Sequence, residues 1–248
     1  MKAIIQEKLR ALEREFDIRI LFACESGSRA WGFASVDSDF DVRFIYVHKA
    51  EFYLSLSDQR DVVELPVNDV LDISGWELRK ALRLFRKSNA PLYEWLQSPL
   101  VYEAVPGFVD ELTALMPLYF SPRAAMHHYL SMTNGIFEND LSENRVRLKK
   151  YFYALRTLLA CQWIASRSEV PPMEFDKLRA IMREDLNETV DGLLGQKAVG
   201  DEKSTILPVE SVNDYIREQI GICKKAIPES SIAGGDEPLN RIFRKYMV

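Results

Sequence analysis

The sequence has few cysteines and no long apolar run. Its three cysteines, Cys24, Cys161 and Cys223, are widely spaced among 248 residues and form no CxxC pair. This argues against a disulfide framework or a structural zinc site and predicts buried free thiols. No stretch approaches the roughly 18 apolar residues of a membrane-spanning helix, and the charged N-terminal segment lacks the apolar centre of a signal peptide. We therefore expect a cytoplasmic protein with no membrane partner.

The chain also lacks an excess of positive charge. It has 32 Lys and Arg against 37 Asp and Glu, a formal net charge of -5. A non-specific duplex-DNA binder is usually basic overall, so this composition disfavours that class. Hydrophobic residues make up 47% of the chain, which is enough for a core without metal or disulfide staples. The length favours two domains of ordinary size.

Hydrophobic periodicity divides the chain into a mixed first part and a helical second part. In the first part we predict helices at 2–16, 75–87, 91–97 and 106–115, and strands at 18–24, 39–47, 61–65 and 70–74. In the second part, which begins at a Ser121–Pro122 helix start, we predict helices at 122–138, 142–167, 174–184, 187–195, 209–226 and 237–246, with loops at 195–208 and 230–235. The predicted fold is α+β: a domain over 1–118 with a small mixed β-sheet flanked by helices, followed by an all-helical domain over 119–248.

Two aspartates, Asp39 and Asp41, occupy alternate positions at the start of the predicted strand 39–47. Side chains at i and i+2 of a strand project from one face, about 6 to 7 Å apart at the backbone. Their carboxylates would repel each other unless they shared one divalent cation or bracketed two. Phosphoryl transfer uses this arrangement, although Asp-x-Asp also occurs by chance on solvated strand edges. Arg43 lies on the same face, where it either contacts a phosphate or pairs with an aspartate.

A glycine–serine turn precedes this strand. Gly27 and Ser28 follow the apolar strand and open a short predicted helix, and ten residues separate them from Asp39. Backbone N–H groups in such a turn bind phosphate oxygens, glycine allows a close approach, and the serine hydroxyl adds a hydrogen bond. A lone Gly-Ser pair carries little information. The ordered series of strand, Gly-Ser turn and Asp-Phe-Asp-Val strand is far more specific.

This series resembles the DNA polymerase β-like nucleotidyltransferase superfamily. The string GSRAWGFASVDSDFDVR is similar to a bacterial branch of predicted nucleotidyltransferases associated with RNA repair. The close resemblance covers about residues 25–100, and LKKYFYALRTLLACQWI resembles the same branch more loosely. It implies a small mixed sheet with flanking helices and a helical second domain. It also implies that Gly27 and Ser28 hold a triphosphate and that Asp39 and Asp41 bind Mg²⁺.

The family usually has a third carboxylate on a later strand, for which Glu64, Asp69 and Asp72 are candidates. We prefer Asp72, which shares a strand face with Val70 and Ser74 and lies just before the helix predicted at 75–87. Glu64 is the next choice. The alternative role for Asp72 is to cap that helix.

A basic helix in the second part, NRVRLKKYFYALRTLL, offers further candidates. By the looser resemblance we expect Lys149, Lys150 and Tyr153 to contact the nucleotide, through phosphates and a stacked base. The alternative is a solvated helix face whose long side chains cover apolar surface. Lys80 and Lys87, in the first part of the chain, fit a solvated face better than a substrate contact.

The expected activity is Mg²⁺-dependent transfer of a nucleoside monophosphate from an NTP, with ATP favoured, to a hydroxyl or phosphate acceptor. Asp39, Asp41 and Asp72 would hold two Mg²⁺ ions, with Mn²⁺ as a substitute, and pyrophosphate would be released. The acceptor is left open, with an RNA end among the candidates. The alternative is a non-catalytic sensor of a nucleotide or RNA end, or an antitoxin-like partner protein. A weaker alternative is a hydrolase or helical scaffold.

Overall fold

The computed structural model describes residues 1–57, 59–66, 70–229 and 234–247. The chain forms two compact units. Unit 1 contains Met1–Gly27, Asp39–Tyr119 and Ala233–Val248, and unit 2 contains Ser28–Ser38 and Phe120–Ile232. The ten-residue spacer between the Gly-Ser turn and Asp39 therefore belongs with the helical part of the chain. The division into folding domains near residue 118 stays a prediction, because compactness of contacts does not test independent folding.

Secondary structure covers both units. The strands are β1 (Ile18–Ser26), β2 (Phe40–His48), β3 (Val62–Glu64), β4 (Leu71–Glu77), β5 (Val101–Ala104), β6 (Val146–Arg147) and β7 (Thr205–Ile206). The helices are α1 (Lys2–Phe16), α2 (Ser28–Trp31), α3 (Ala50–Tyr53), α4 (Leu78–Arg86), α5 (Ala90–Trp95), α6 (Phe108–Tyr119), α7 (Pro122–Asn139), α8 (Leu148–Arg167), α9 (Phe175–Arg179), α10 (Glu184–Val199), α11 (Glu210–Lys225) and α12 (Glu237–Tyr246).

Unit 1 is built around a mixed sheet. Among the described residues it has five strands in the order β3-β4-β2-β1-β5. Strands β2 and β4 are parallel, and the other neighbouring pairs are antiparallel. Within the described residues of unit 2, the secondary structure is helical apart from the two-residue ladder of β6 and β7. The predicted α+β class, a mixed sheet with helices followed by a helical region, is confirmed.

One face of the sheet is covered by α1. The stripe Ile5, Leu9 and Leu12 is fully buried against a cluster that includes Val42 and Phe44 of β2. This is the amphipathic pattern predicted over 2–16, and burial of such side chains contributes about 1.5 to 3 kcal/mol each. Packing of one face of β2 leaves the opposite face, with Asp41 and Arg43, at the partly exposed surface.

The helix predicted from Gly75 begins later, at Leu78. Gly75 to Glu77 continue β4, and the Glu77 carboxylate accepts hydrogen bonds from the N–H groups of Arg79 and Lys80. This side-chain cap starts α4, because it satisfies two of the donors that a helix leaves free at its N-terminus. Asp72, predicted as an alternative cap, lies inside β4 instead.

Other differences concern the ends of elements. Strand β5 was not predicted, because its residues are half-exposed and pair at an edge of the sheet. The loop predicted at 195–208 begins too early, since α10 continues to Val199. The loop predicted at 230–235 lies partly outside the described residues.

The helical unit confirms the helix start at Ser121. Its side chain accepts a hydrogen bond from the Ala124 N–H, and Pro122 occupies the first turn of α7. Segment 28–38 packs into this unit through Phe33, whose ring stacks on Phe152 at 5.4 Å between centroids. No helix among the described residues is long and apolar enough to cross a membrane.

Gly75 tests the packing of the sheet. A Cβ at this position would meet the Phe44 ring at 2.2 Å, whereas a Cβ at the exposed Gly221 of α11 would meet nothing within 4 Å. We expect Gly75→Ala to destabilise the protein by about 1 to 3 kcal/mol through overpacking. Gly221→Ala should stabilise it by about 0.5 to 1 kcal/mol through helix propensity. Urea denaturation of both variants measures the difference, and equal midpoints would contradict the packing described for β2 and β4.

Candidate active site

The site begins with the register of two neighbouring strands. Asp41 of β2 lies directly beside Asp72 of β4 in the parallel ladder. Parallel strands are about 4.8 Å apart, and residues in register project from the same face. Both side chains are about one-third exposed. The strand pairing therefore concentrates two carboxylates at one accessible point of the sheet.

Arg43 holds this pair of carboxylates. Its Nη2 atom lies 2.7 Å from Asp72 Oδ2 and 3.6 Å from Asp41 Oδ1. Its Nη1 atom donates to the carbonyl oxygens of Asp72 and Val42 at 3.2 and 3.0 Å. The guanidinium thus offsets the repulsion between the aspartates. Pairing with an aspartate was one of the two roles that the sequence allowed for Arg43. A phosphate contact by Arg43 stays a prediction.

Gly27 lies directly against Asp41. Its φ is +90°, and a Cβ built on it would meet Asp41 Oδ2 at 2.2 Å. Any side chain at this position would strain the backbone and displace the carboxylate. The structure therefore brings the glycine of the Gly-Ser turn and one predicted metal ligand into contact.

Glu25 is a part of the site that the sequence analysis missed. It is fully buried, its Oε1 atom accepts the N–H of Asp41 at 2.7 Å, and its Oε2 atom accepts the hydroxyl of Tyr102. These bonds fix the backbone of β2 where Asp41 begins to project. A signal was present, because Glu25 is an acidic residue at the end of an apolar strand, two positions before Gly27.

The environment of Asp41 disfavours its charged form. Burial raises the pKa of its carboxyl to about 6; Arg43 opposes the rise, and the negative charges of Glu25, Asp72 and Asp39 add to it. The cause is desolvation, together with more neighbouring carboxylates than cations. A further cation beside Asp41 would reverse this effect.

The remaining carboxylate candidates lie in different places. Asp39 is exposed and immediately precedes β2, so it is near Asp41 but outside the strand predicted to carry it. Glu64 lies on β3 opposite Ser74 and pairs with Arg60 at 3.1 Å. Asp69 lies outside the described residues. The geometry thus brings Asp72, and not Glu64, next to Asp41.

The fit of Mg²⁺ depends on donor type and on arrangement. Asp39, Asp41 and Asp72 supply the carboxylate oxygens that Mg²⁺ prefers. In the part of the chain that the structure describes, however, no three His, Cys, Asp or Glu side chains are gathered to hold a metal ion. The Arg43 guanidinium lies where a cation would bridge Asp41 and Asp72. The donors fit Mg²⁺ if this side chain turns away.

The other predicted nucleotide contacts lie in unit 2. Ser28 is buried, and its carbonyl accepts the N–H groups that follow α2. Lys149 pairs with Glu202 at 3.0 Å, and Lys150 with Asp140 at 3.1 Å. The Tyr153 ring lies edge-on against Trp31, 5.4 Å between centroids. Both lysines neutralise carboxylates of their own unit, and their contact with a nucleotide stays a prediction.

Glu202 anchors the spacer segment 28–38 to the rest of unit 2. Its Oε1 atom accepts from Ser35 at 2.9 Å, from Ser38, and from Lys197 at 3.2 Å. Lys197 is only 3% exposed. Burial alone would raise the pKa of Glu202, but the hydrogen bonds and neighbouring lysines outweigh it and lower the pKa to about 2. The carboxylate is therefore firmly ionised and holds the segment that ends just before Asp39.

The mixed sheet and its paired carboxylates define an α+β protein with an acidic site on adjacent parallel strands. Residues 1–245 match the model of RlaP, the RNA repair pathway DNA polymerase beta family. The chain belongs to this family, and the resemblance predicted from the Gly-Ser and Asp-Phe-Asp motifs is confirmed.

Two further proteins are similar to this chain. "Uncharacterized protein YcgL" from Bacillus subtilis (strain 168) is 42% identical over 247 residues, covering 98% of this chain and 95% of that protein. A crystal structure of a nucleotidyltransferase-like protein from Exiguobacterium sibiricum 255-15 aligns with 97% of this chain and 80% of that chain, at 12% identity and a TM-score of 0.34. Similarity of that low degree bears on neither fold nor function.

The raised pKa of Asp41 gives a stability prediction. The group costs stability when it is ionised in the folded state, and this cost is present above pH of about 6 and absent below its ordinary pKa of 3.8. Asp41→Asn should therefore stabilise the metal-free protein at neutral pH by about 1 to 2 kcal/mol, a value discounted for partial exposure. The gain should vanish as the pH falls below about 4. Thermal denaturation with EDTA across this range measures it, and the exposed Asp110→Asn is the matched control, which should show no gain.

Glu202 predicts the opposite dependence. Its lowered pKa means that its stabilising contribution is complete above the ordinary value of 4.5 and is lost as the pH falls toward about 2. Glu202→Gln would leave Lys197 buried without a counter-charge and should cost about 2 to 3 kcal/mol at neutral pH. The exposed Glu188→Gln on α10 is the control, expected within about 0.5 kcal/mol of wild type. Equal stability of the two variants in urea would contradict the anchoring role.

Proposed function

We propose that this protein is a Mg²⁺-dependent nucleotidyltransferase that moves a nucleoside monophosphate from an NTP, with ATP favoured, to an RNA end. The observation that carries the proposal is the placement of Asp41 beside Asp72, with the Gly27 backbone against the Asp41 carboxylate. Membership of a DNA polymerase beta family described by its RNA repair pathway supports both the reaction and the acceptor class. A cytoplasmic setting is part of the proposal.

Each residue of the site has a task in this reaction. Asp39, Asp41 and Asp72 would hold two Mg²⁺ ions, for which Mn²⁺ could substitute, and Gly27 and Ser28 would bind the β- and γ-phosphates. Bound Mg²⁺ would neutralise charge on the phosphates and the leaving group. Arg43 would leave the Asp41–Asp72 pair when cations arrive, and its guanidinium would then be available to a phosphate oxygen.

The bond changes follow from the acceptor. An oxygen of the RNA end attacks the α-phosphorus of the NTP, a new P–O bond forms, and the bond to the β-phosphate oxygen breaks. Pyrophosphate leaves with the bonding electrons. Where the attacking oxygen belongs to a hydroxyl, its proton passes to Asp72, the carboxylate beside Asp41 on the neighbouring strand. In unit 2, Lys149, Lys150 and Tyr153 would contact the nucleotide.

One observation favours a second candidate, a sensor that binds a nucleotide or RNA end without catalysis. Arg43 already bridges the Asp41–Asp72 pair, and the described residues contain no preformed three-ligand metal cluster. A protein that never binds Mg²⁺ would keep this ion pair permanently. Such a sensor would bind NTP yet release no pyrophosphate with any acceptor.

The decisive experiment supplies each α-labelled NTP with Mg²⁺ and total cellular RNA or protein. We expect label from ATP to enter RNA with stoichiometric pyrophosphate release. Asp41→Asn and Asp72→Asn should each lower transfer by at least about 100-fold, because each removes a ligand of the metal site. Glu64→Gln, the matched change on the neighbouring strand, should keep most of the activity.

Three outcomes would contradict parts of the proposal. Wild-type turnover by Asp41→Asn would exclude the proposed metal site. An inactive Glu64→Gln together with an active Asp72→Asn would show that Glu64, and not Asp72, is the third carboxylate. Label that enters protein rather than RNA would show that the acceptor is a protein and not an RNA end. Circular dichroism of every variant shows whether the fold is kept.

A further inference from the structure

We propose that one face of unit 1, formed by α4 and α12, is a docking surface for the phosphate backbone of single-stranded RNA. The α4 basic face consists of Arg79, Lys80, Arg83, Arg86 and Lys87. It lies outside the carboxylate site and takes part in none of the roles proposed above. The inference rests on the proposed function only in taking RNA as the polyanion that this protein handles.

The basic face is concentrated and partly unpaired. The stretch from 78 to 87 contains five basic residues and no acidic one. Arg79, Arg83 and Lys87 follow at i, i+4 and i+8 and form no ion pair with any carboxylate among the described residues. Arg83 and Lys87 are exposed. Arg83 and Lys87 are therefore available to an external anion, with the half-buried Arg79 one turn away on the same helix.

The acidic groups nearby are already matched. Asp61 pairs with Lys80 at 2.9 Å, and Asp236 with Arg86 at 2.7 Å. Glu77 caps α4 and accepts the hydroxyl of Tyr53 at 2.6 Å. Glu64, which also lines the cleft beside α4, pairs with Arg60 at 3.1 Å. The five cations of the α4 basic face, set against Asp61, Asp236 and Glu77, leave an excess of two positive charges.

The shape of the surface suits a chain of phosphates with adjoining bases. A cleft of about 690 Å³ is lined by Arg79 and Arg83 together with the aromatic residues Phe52 and Tyr53. The same two arginines line a groove of about 310 Å³ toward Phe243 of α12, so both spaces border the Arg79 and Arg83 side chains. The Arg79 guanidinium lies 4.8 Å from the Tyr53 ring centroid and 5.2 Å from that of Phe243. Basic and aromatic side chains in one groove are the combination that binds single strands.

The spacing of the cations matches a nucleic-acid strand. At 1.5 Å per residue, the helix places Arg79 and Lys87 about 12 Å apart along its axis. A stacked strand advances about 3.4 Å per phosphate, so this distance covers three to four phosphates. An acidic protein segment could satisfy the charges, but it would not use the aromatic groove in the same way.

The test measures binding alone, without catalysis. A short fluorescent single-stranded RNA is titrated with the full-length protein in EDTA and without NTP, at several salt concentrations. Arg83→Gln combined with Lys87→Gln should lower the slope of log affinity against log salt by about 1.4, because each lost phosphate contact on a single strand contributes about 0.7. For each tenfold decrease in salt concentration, the affinity of the double variant therefore falls about 25-fold further behind that of the wild type. Arg10→Gln with Arg14→Gln on α1 removes the same charge at the same spacing and should leave the slope unchanged.

Each outcome decides the proposal. Loss of binding confined to the Arg83 and Lys87 double variant supports it. Equal loss of binding in both double variants would show that only net charge matters and would overturn the proposal. Unchanged binding of the Arg83 and Lys87 double variant would also overturn it. Tighter binding of a DNA strand of the same sequence, or of an acidic peptide, would show that the surface binds that ligand rather than RNA, and would overturn the proposal. Because binding is measured in EDTA and without NTP, a failure of the transfer reaction remains distinguishable from a failure of this surface.

Discussion

The candidate site depends on the parallel register that sets Asp41 beside Asp72. Two carboxylates on adjacent strands repel each other, and the pairing of β2 with β4 is tolerated because a cation lies between them. In this structure that cation is the guanidinium of Arg43. The Asp41 carboxylate occupies the space that a side chain at Gly27 would need, and Glu25 fixes the Asp41 backbone by accepting its N–H. The arrangement is thus a fixed acidic position whose counter-ion is the Arg43 guanidinium.

Each unit contains a partly buried carboxylate with a shifted pKa, and the two shifts have opposite directions. Asp41 has one nearby cation and three negative neighbours, so burial prevails and its pKa rises. Glu202 has two lysines and two serine hydroxyls, so its pKa falls. A carboxylate whose charge is fully satisfied by its own unit stabilises structure, whereas one whose charge is under-compensated has the greater capacity to attract an external cation. This contrast in charge compensation, rather than burial alone, sets the pKa of Asp41 apart from that of Glu202.

Local patterns in the sequence predicted much of this arrangement, and long-range contacts account for what they missed. Period-two alternation predicted β2 and placed Asp41 and Arg43 on one face, because side-chain direction in a strand is a local property. The parallel pairing with β4 is non-local, so the family resemblance supplied the expectation of a third carboxylate, and Asp72 was preferred to Glu64 for its strand face and its position before the predicted helix. The start of α4 was misplaced because Glu77 caps it, and glutamate is not among the usual capping residues. Glu25 was missed because its role exists only through the hydrogen bond to a strand that is distant in sequence.

Strand β4 connects two regions of opposite charge. Asp72 lies near its beginning, and the strand leads directly into α4, so Asp72 is separated from Glu77, the last residue of the strand, by about 16 Å at 3.3 Å per residue. This distance exceeds the Debye length of about 8 Å at physiological salt, so neither region cancels the field of the other at its own surface. An acidic site alone would repel a polyanionic acceptor as well as a nucleotide. A basic face one strand length away offsets that repulsion for a ligand long enough to span both, which a single nucleotide is not. The net charge of -5 therefore conceals an uneven distribution, and the proposed RNA acceptor is consistent with it because an extended polyanion could reach both regions.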